Sequence, residues 1–572
     1  MTTKFTPTTA AEQLLFLLGA NGIEHLFLNP GTDSAPLQEA MKTLPAAGVP
    51  MPVIHPSTFE SVSLAAAHAY YQATGKPACV FVHVDAGTQN LGAIVHDVFR
   101  DHAGVVILAG LTPYAEDPGA PGGRSGYIQW LQDMPDQAGI VRGYAKCVFD
   151  LTRTESMDRV VGRAVQLATG YPAGPVYVTV ARDVLMDPPV ARPLRTTGFS
   201  LPAPPAIDSA TLSRITKLVA AAKRPLLITS RLGRTTAGFD AVVRFAELAG
   251  VTVIRGADTG PVSIPTLHPM HRRSAASKAA AIREADCILI VECEVPYIPR
   301  FVQPDSAATV IHIDPDPLKA TMPLWTFRTD LSVTADGPTA IGQITAALEP
   351  IAEHSTAVGS RFRGRLRRAG AGEPLPTPVR PKSGRIGVLE VFAALNDVLD
   401  AEDIVVEEAI TNGDTLYENL VRTLPRTIAG AFAPGLGWSL GGAIGVKLAR
   451  PDRRVVAVCG DGAFLFSVPA SALMLSAEMR CPFLAVILNN GGYRASRLPV
   501  YELFPSGASV GDADAVGTRF VAAPDFAELA QSCHAYGERV EKREDLLPAL
   551  ERGLAAVDAG RSAVIDIHIE QN

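Results

Sequence analysis

Apolar residues in this chain follow two rhythms. Short unbroken runs alternate with longer stretches in which apolar and polar residues recur at helical spacing. The short runs are residues 78–82, 105–108 and 176–180, then 225–229, 287–291 and 310–314, then 404–406, 455–459, 483–488 and 563–567. Runs of that length predict strands buried on both faces, and their alternation with helices predicts parallel sheets covered on both sides. Two proline-rich stretches, 187–205 and about 353–383, break the pattern and read as linkers. The fold class that follows is α/β with three doubly wound parallel-sheet domains. They span 1–190, 205–350 and 385–572, with 351–384 as a linker. The blocks look alike in class, yet no exact internal repeat joins them.

Composition narrows the picture. A chain of 572 residues is too long for one core. No apolar run reaches the roughly 18 residues of a membrane helix, so no membrane partner is expected. The polar start, Met1 to Thr6, leads into an amphipathic helix rather than a signal peptide. Seven cysteines, none in a C-x-x-C pair, lie mostly within apolar runs, as reduced core thiols do; the expected location is cytoplasmic. The net charge of −7 argues against a nucleic-acid partner. One cationic run, from Arg361 to Arg368, reads as a solvated linker helix or as a clamp for the phosphates of a CoA substrate.

The chemistry concentrates at two strand ends. Gly460-Asp461-Gly462 ends one apolar run, and Asn489-Asn490 follows after 26 intervening residues at the end of the next. Both strand ends then fall at the carboxyl edge of one sheet, where α/β proteins bind ligands. Asp461, the Asn490 side-chain carbonyl and the Gly492 backbone carbonyl are hard oxygen donors, half of an octahedral magnesium shell. Gly462 lets the backbone approach phosphates closely.

This spacing resembles the signature of the thiamin-diphosphate (ThDP) enzymes that include acetolactate synthase, benzoylformate decarboxylase and the 2-hydroxyacyl-CoA lyases. The resemblance runs from about Ala10 to the last apolar run and implies pyrimidine-binding, central and diphosphate-binding domains. It implies ThDP and Mg2+ as cofactors, with Gly460, Asp461, Gly462, Ala463, Asn490, Gly492 and Tyr493 around the diphosphate and the metal. Glu408, Ile410 and Thr411 match the segment that meets the diphosphate and pyrimidine. Leu436 matches the residue that wedges between the cofactor rings, and Pro434 supplies the carbonyl that accepts from the aminopyrimidine.

Glu60 has a local reading too: Ser57-x-x-Glu60 is a capping box, with Pro56 and Ser57 opening a helix. The resemblance adds a catalytic role, a hydrogen bond to the pyrimidine that shifts its tautomer. His83, at the end of the run 78–82, precedes Ala86-Gly87-Thr88-Gln89-Asn90 and looks like the benzoylformate decarboxylase histidine that moves protons to and from bound intermediates. Gly31, Thr32, His83 and Gln89 are then the substrate pocket. The resemblance implies non-oxidative decarboxylation of a 2-oxo acid through an enamine intermediate. Its alternatives are carboligation, cleavage of a 2-hydroxyacyl-CoA, or a ThDP-fold binding protein without catalysis. The middle block lacks a complete Gly-x-Gly-x-x-Gly, so FAD is not expected. Glu60 and Asp461 are expected to meet one cofactor across a subunit interface, which requires a homodimer or homotetramer.

Overall fold

A computed structural model of the chain describes residues 6–378, 381, 384–431, 433, 435–510 and 517–570. Three all-parallel sheets form its frame. The first has six strands in the order Val53–Pro56, His25–Leu28, Ala78–Val82, Val105–Leu111, Val176–Ala181, Cys147–Leu151. The third has six in the order Ile428–Gly430, Ile404–Glu408, Val455–Gly460, Leu484–Asn489, Ala563–His568, Tyr536–Val540. Ranked by sequence, both orders are 2-1-3-4-6-5. One topology therefore underlies two domains that share no exact sequence repeat. The middle sheet has five strands and a different order.

Every apolar run of the sequence is a strand or the body of one. The strands that sequence reasoning missed are short or lie at sheet edges. Val53–Pro56 and Cys147–Leu151 are the two edges of the first sheet and are mostly half-buried, so they lack continuous apolar character.

Two expectations are corrected. The first helix, Ala10–Ala20, is not one-faced: Ala10, Ala11, Leu14, Leu15, Leu17 and Leu18 are all fully buried. The arginine run is not a solvated linker. It forms the helix Thr356–Ala369, which seats Phe362 in the core of the middle domain. All seven cysteines are free thiols, Cys147 and Cys533 half-exposed and the rest buried. Among the described residues, no helix is long and apolar enough to cross a membrane.

The first and third domains meet through two helices in equivalent places, each linking the second strand of its sheet to the third. These are Glu60–Thr74 and Ser439–Ala449. Their backbones nearly touch: a Cβ on Gly445 would fall 2.1 Å from the Ala66 carbonyl oxygen. Beside this contact the Trp438 indole donates to His68 Nδ1 (2.9 Å), and His68 Nε2 lies 3.1 Å from Asp101. All three side chains are buried, so the polar bridge between the domains is satisfied without water.

Candidate active site

Parallel register sets the third-domain cluster. Gly460 pairs with Leu488, so the loops after these strands leave the sheet side by side. Asp461 opens the helix Asp461–Phe466 and is 2% exposed. Its carboxylate accepts from Gly462 N (3.0 Å) and reaches the neighbouring loop to accept from Gly492 N (2.8 Å). Burial still pushes its pKa up to about 6. Asn489 shapes the second loop. Its Oδ1 accepts from Gly491 N (3.1 Å), and its amide donates to Asp566 (2.9 Å). Gly492 has φ 157°, and a Cβ there would lie 2.1 Å from the Thr518 carbonyl oxygen, so no other residue fits.

Asn490 is next, 6% exposed, and its buried side-chain carbonyl oxygen has no hydrogen-bond partner. Leaving such an oxygen dry and unpaired is costly, of the order of 1–3 kcal/mol. The donor set at this point is a carboxylate, an orphaned amide oxygen and the Gly492 carbonyl, which already accepts from Arg494 N (3.0 Å) with one lone pair. All are hard oxygens, and the set suits Mg2+. The Gly462 backbone packs against the Tyr493 ring, which Phe520 meets edge-on at 4.7 Å between centroids. Ala463 is buried, its carbonyl taken by Ser467.

The Glu408 side chain has a structural task that the sequence did not reveal. It points inward and accepts from Gly437 N (2.6 Å), Trp438 N (3.0 Å) and Ser439 N (2.9 Å). It thus caps the helix Ser439–Ala449, and that carboxylate is spent on the helix end. Ile410 is 54% exposed and Thr411 half-exposed, so these two carry what the segment can offer a ligand. Leu436 is half-buried against the core shared by the first and third domains. Pro434 lies outside the described residues. Gly435 N donates to Asp97 (2.9 Å), a buried first-domain acid whose pKa burial and the Asp101 charge push up to about 9. Asp97 was not foreseen from the sequence.

The first-domain cluster also sits at a carboxyl edge. His83 follows the strand Ala78–Val82, which pairs with His25–Leu28, so the loops carrying His83 and Asp33 emerge together. His83 Nδ1 lies 2.6 Å from Asp33 Oδ1. That hydrogen bond holds the imidazole above its ordinary pKa against the pull of burial, helped by the charges of Asp33, Asp85 and Glu60. Gly31 lies flat on the ring, where a Cβ would fall 2.1 Å from Nδ1. Thr32 is exposed, its carbonyl accepting from Arg182 (3.2 Å). Gln89 is exposed and donates to Asp85 (3.4 Å).

Glu60 is the first residue of its helix, and the capping box is not formed. Phe59 is the N-cap, and the Ser57 hydroxyl donates to the Phe59 carbonyl instead (3.4 Å). Pro56 belongs to the preceding strand. The Glu60 carboxylate accepts from the Asn90 amide (3.0 Å) and packs over Gly87. Glu60 and His83 are therefore linked through one short helix, Val84–Gln89, with His83 as its N-cap and Asn90 as its C-cap. Sequence reasoning missed Asp33 and Asn90 as partners, because the link runs through strand register and loop folding rather than spacing. Among the described residues, no hydrogen bond or ion pair joins Glu60 or His83 to Asp461 or Asn490 within the chain.

These features define a three-domain α/β protein whose polar machinery is divided between two carboxyl edges of equal topology. Family comparison assigns it. The thiamine pyrophosphate enzyme N-terminal TPP binding domain matches residues 8–140, and the C-terminal TPP binding domain matches residues 416–567. The chain belongs to the thiamin-diphosphate-dependent enzyme family of decarboxylases and carboligases. It is 24% identical to the benzoylformate decarboxylase of Pseudomonas aeruginosa over 555 residues, 94% of this chain and 95% of that one. It is also 24% identical to an acetolactate synthase of Bacillus subtilis over 575 residues, 98% and 93% of the two chains. Similar solved structures include the benzoylformate decarboxylase of Polynucleobacter necessarius (TM-score 0.80, 18% identity, 99% of each chain). The ThDP-dependent 4-hydroxybenzoylformate decarboxylase of Rhodococcus jostii RHA1 gives a TM-score of 0.78 at 20% identity, over 98% of this chain and 99% of that one.

Proposed function

We propose that the protein is a ThDP- and Mg2+-dependent carbon–carbon lyase that decarboxylates a 2-oxo acid without oxidation. The observation that carries this reading is the His83–Asp33 pair at 2.6 Å, at the start of the short helix Val84–Gln89 whose C-cap, Asn90, holds Glu60. Asp461, Asn490 and Gly492 would hold Mg2+, and the orphaned Asn490 oxygen supports that fit. Gly460, Gly462, Ala463 and Tyr493 would surround the diphosphate, with Ile410, Thr411 and Leu436 toward the rings. When bound, ThDP supplies the electron sink for cleavage next to a carbonyl.

The chain's own residues supply placement and protons. Glu60, fixed by Asn90, can hold a hydrogen bond to a ring nitrogen in a site that excludes water. His83 has Nδ1 engaged by Asp33, which leaves Nε2 to give or take a proton at the substrate. Gly31 and Thr32 would line the pocket beside His83, with Gln89 at the end of the helix Val84–Gln89. FAD has no part in the proposal. The carboxyl edge of the middle sheet carries ion pairs, Arg234 with Glu292 and Asp336, and Lys319 with Glu294 and Asp314.

Two copies would complete the site. Tyr127, Trp130 and Leu131 of the first domain are 78%, 51% and 76% exposed, and Phe466, Leu503 and Phe504 of the third are 52%, 64% and 61% exposed. These exposed apolar side chains on both domains are candidates for the surface a second copy would cover. The decisive experiment is a panel of benzoylformate, 4-hydroxybenzoylformate and pyruvate, followed by product analysis. Release of aldehyde and CO2 is the expected outcome. Acyloin as the main product would instead make the protein a carboligase, and cleavage of a 2-hydroxyacyl-CoA alone would make it a CoA lyase.

A further inference from the structure

The arginine run has no part in the reaction above. On the helix Thr356–Ala369, residues 361, 365 and 368 fall at i, i+4 and i+7 and share one face. That face lines a groove of about 700 Å³ together with Lys223, Arg224 and Arg272. Pro225 and Thr252, the first residues of two middle-sheet strands, also line it. The groove therefore lies at the amino edge of the middle sheet, opposite the ion pairs of the carboxyl edge.

Six cations face one acid, Glu284, in this lining. Among the described residues, the hydrogen bonds these cationic side chains donate go to neutral backbone carbonyls. Arg361 donates to Ala220 O (2.5 Å), Arg365 to Ala249 O (2.7 Å) and Val219 O (3.2 Å), Arg224 to Glu284 O (2.8 Å) and Arg272 to Pro269 O (2.8 Å). The nearby Asp286 carboxylate is taken up by the backbone N–H groups of Lys223 and Arg224. Two arginines thus cap the carboxyl ends of helices, which explains their presence but does not neutralise the groove. Arg365 is 4% exposed, and its buried Nε has no hydrogen-bond partner. Burial and the charges of Arg361 and Arg368 push its pKa down to about 10.

We propose that this groove binds an organic polyphosphate of the nucleoside diphosphate or triphosphate class. Guanidinium groups match phosphate oxygens in paired, charge-assisted hydrogen bonds, and adjacent phosphates use several of them at once. The volume falls in the range of small-molecule sites, roughly 300–1,000 Å³. The patch is a groove of bounded volume on a chain of net charge −7, unlike the basic stripe of a nucleic-acid binder. Neither the reaction nor the substrate proposed above enters this inference.

The test uses the full-length protein saturated with ThDP and Mg2+, so that the diphosphate site is closed to competitors. MgATP, MgADP, AMP, inorganic tripolyphosphate and a single-stranded oligonucleotide are titrated by calorimetry. The expected result is one MgATP per chain, weaker AMP, and affinity that falls as salt rises. Arg368→Glu and Lys223→Glu, both at exposed positions, should each weaken MgATP by about tenfold or more, the worth of a charge-assisted contact. Their melting temperature and ThDP affinity should match the wild type. Absence of heat with every polyphosphate overturns the proposal. So does MgATP binding unchanged in both variants, or an oligonucleotide that binds more tightly than MgATP and displaces it.

Discussion

Asp461 and Asp33 are buried carboxylates whose partners set them to different tasks. Asp461 is crossed by two backbone N–H groups and stands beside an unpaired amide oxygen. Asp461→Ala should leave the Asn490 oxygen without a cation to share, and diphosphate repulsion uncompensated. Titration calorimetry with ThDP and Mg2+ should show affinity largely lost, while circular dichroism stays as in the wild type. Asp33 instead faces one imidazole, and its bond keeps His83 above the ordinary value. The folded-state pKa lies above the unfolded one, so the pair's contribution to stability is complete below about pH 6.5. It is lost as pH rises through the raised value. In Asp33→Asn the His83 resonances should titrate at lower pH than in the wild type. The limb of the rate profile that needs protonated histidine should move down with them. An unchanged titration would remove Asp33 as the residue that sets His83.

Helices and strands repeat this lesson at close contacts. The crossing of Glu60–Thr74 and Ser439–Ala449 depends on residue 445 having no side chain. In Gly445→Ala the new methyl meets a backbone carbonyl, which cannot rotate away, so the helices must part. A loss of about 1–3 kcal/mol is expected from such overpacking, read as a lowered melting temperature. The strands were legible in the sequence because those buried on both faces have no polar rhythm to confuse. The placement of the loops after Gly460 and Asn489 side by side was legible because the two apolar runs before them are neighbouring parallel strands. The capping box was misread because Ser57-x-x-Glu60 is judged locally, whereas Asn90 claims Glu60 from the end of the helix Val84–Gln89. The cap that Glu408 forms was out of local reach likewise: its three backbone donors lie 29 to 31 positions downstream. The arginine helix looked solvated because its charge hides Phe362 and the capping role of Arg365.

The assembly is where the division of the site has its consequence. One domain carries Glu60 and His83, another carries Asp461 and Asn490, and the exposed apolar residues lie on both. If one cofactor is to touch both clusters across a two-fold axis, each subunit contributes half of two sites. Glu60→Gln and Asp461→Ala should each be inactive alone. After random reassortment into dimers, up to about a quarter of the sites should be wild type. Recovery of activity on mixing is the expected outcome; full activity from a strict monomer in light scattering would rule the arrangement out. The identical strand order of the first and third domains suits this exchange, since each can offer the other the same sheet edge.

The bridge between those two domains also carries its own optical probe. The chain has three tryptophans, and Trp438 alone is fully buried; Trp130 is 51% exposed and Trp325 half-exposed. Trp438 donates to His68, so its emission should sit at short wavelength while the domains remain joined. Any step that separates them admits water to the indole and shifts its fluorescence to the red. With Trp130 and Trp325 replaced by phenylalanine, one wavelength would follow the parting of first and third domains in real time, before either sheet loses its ellipticity.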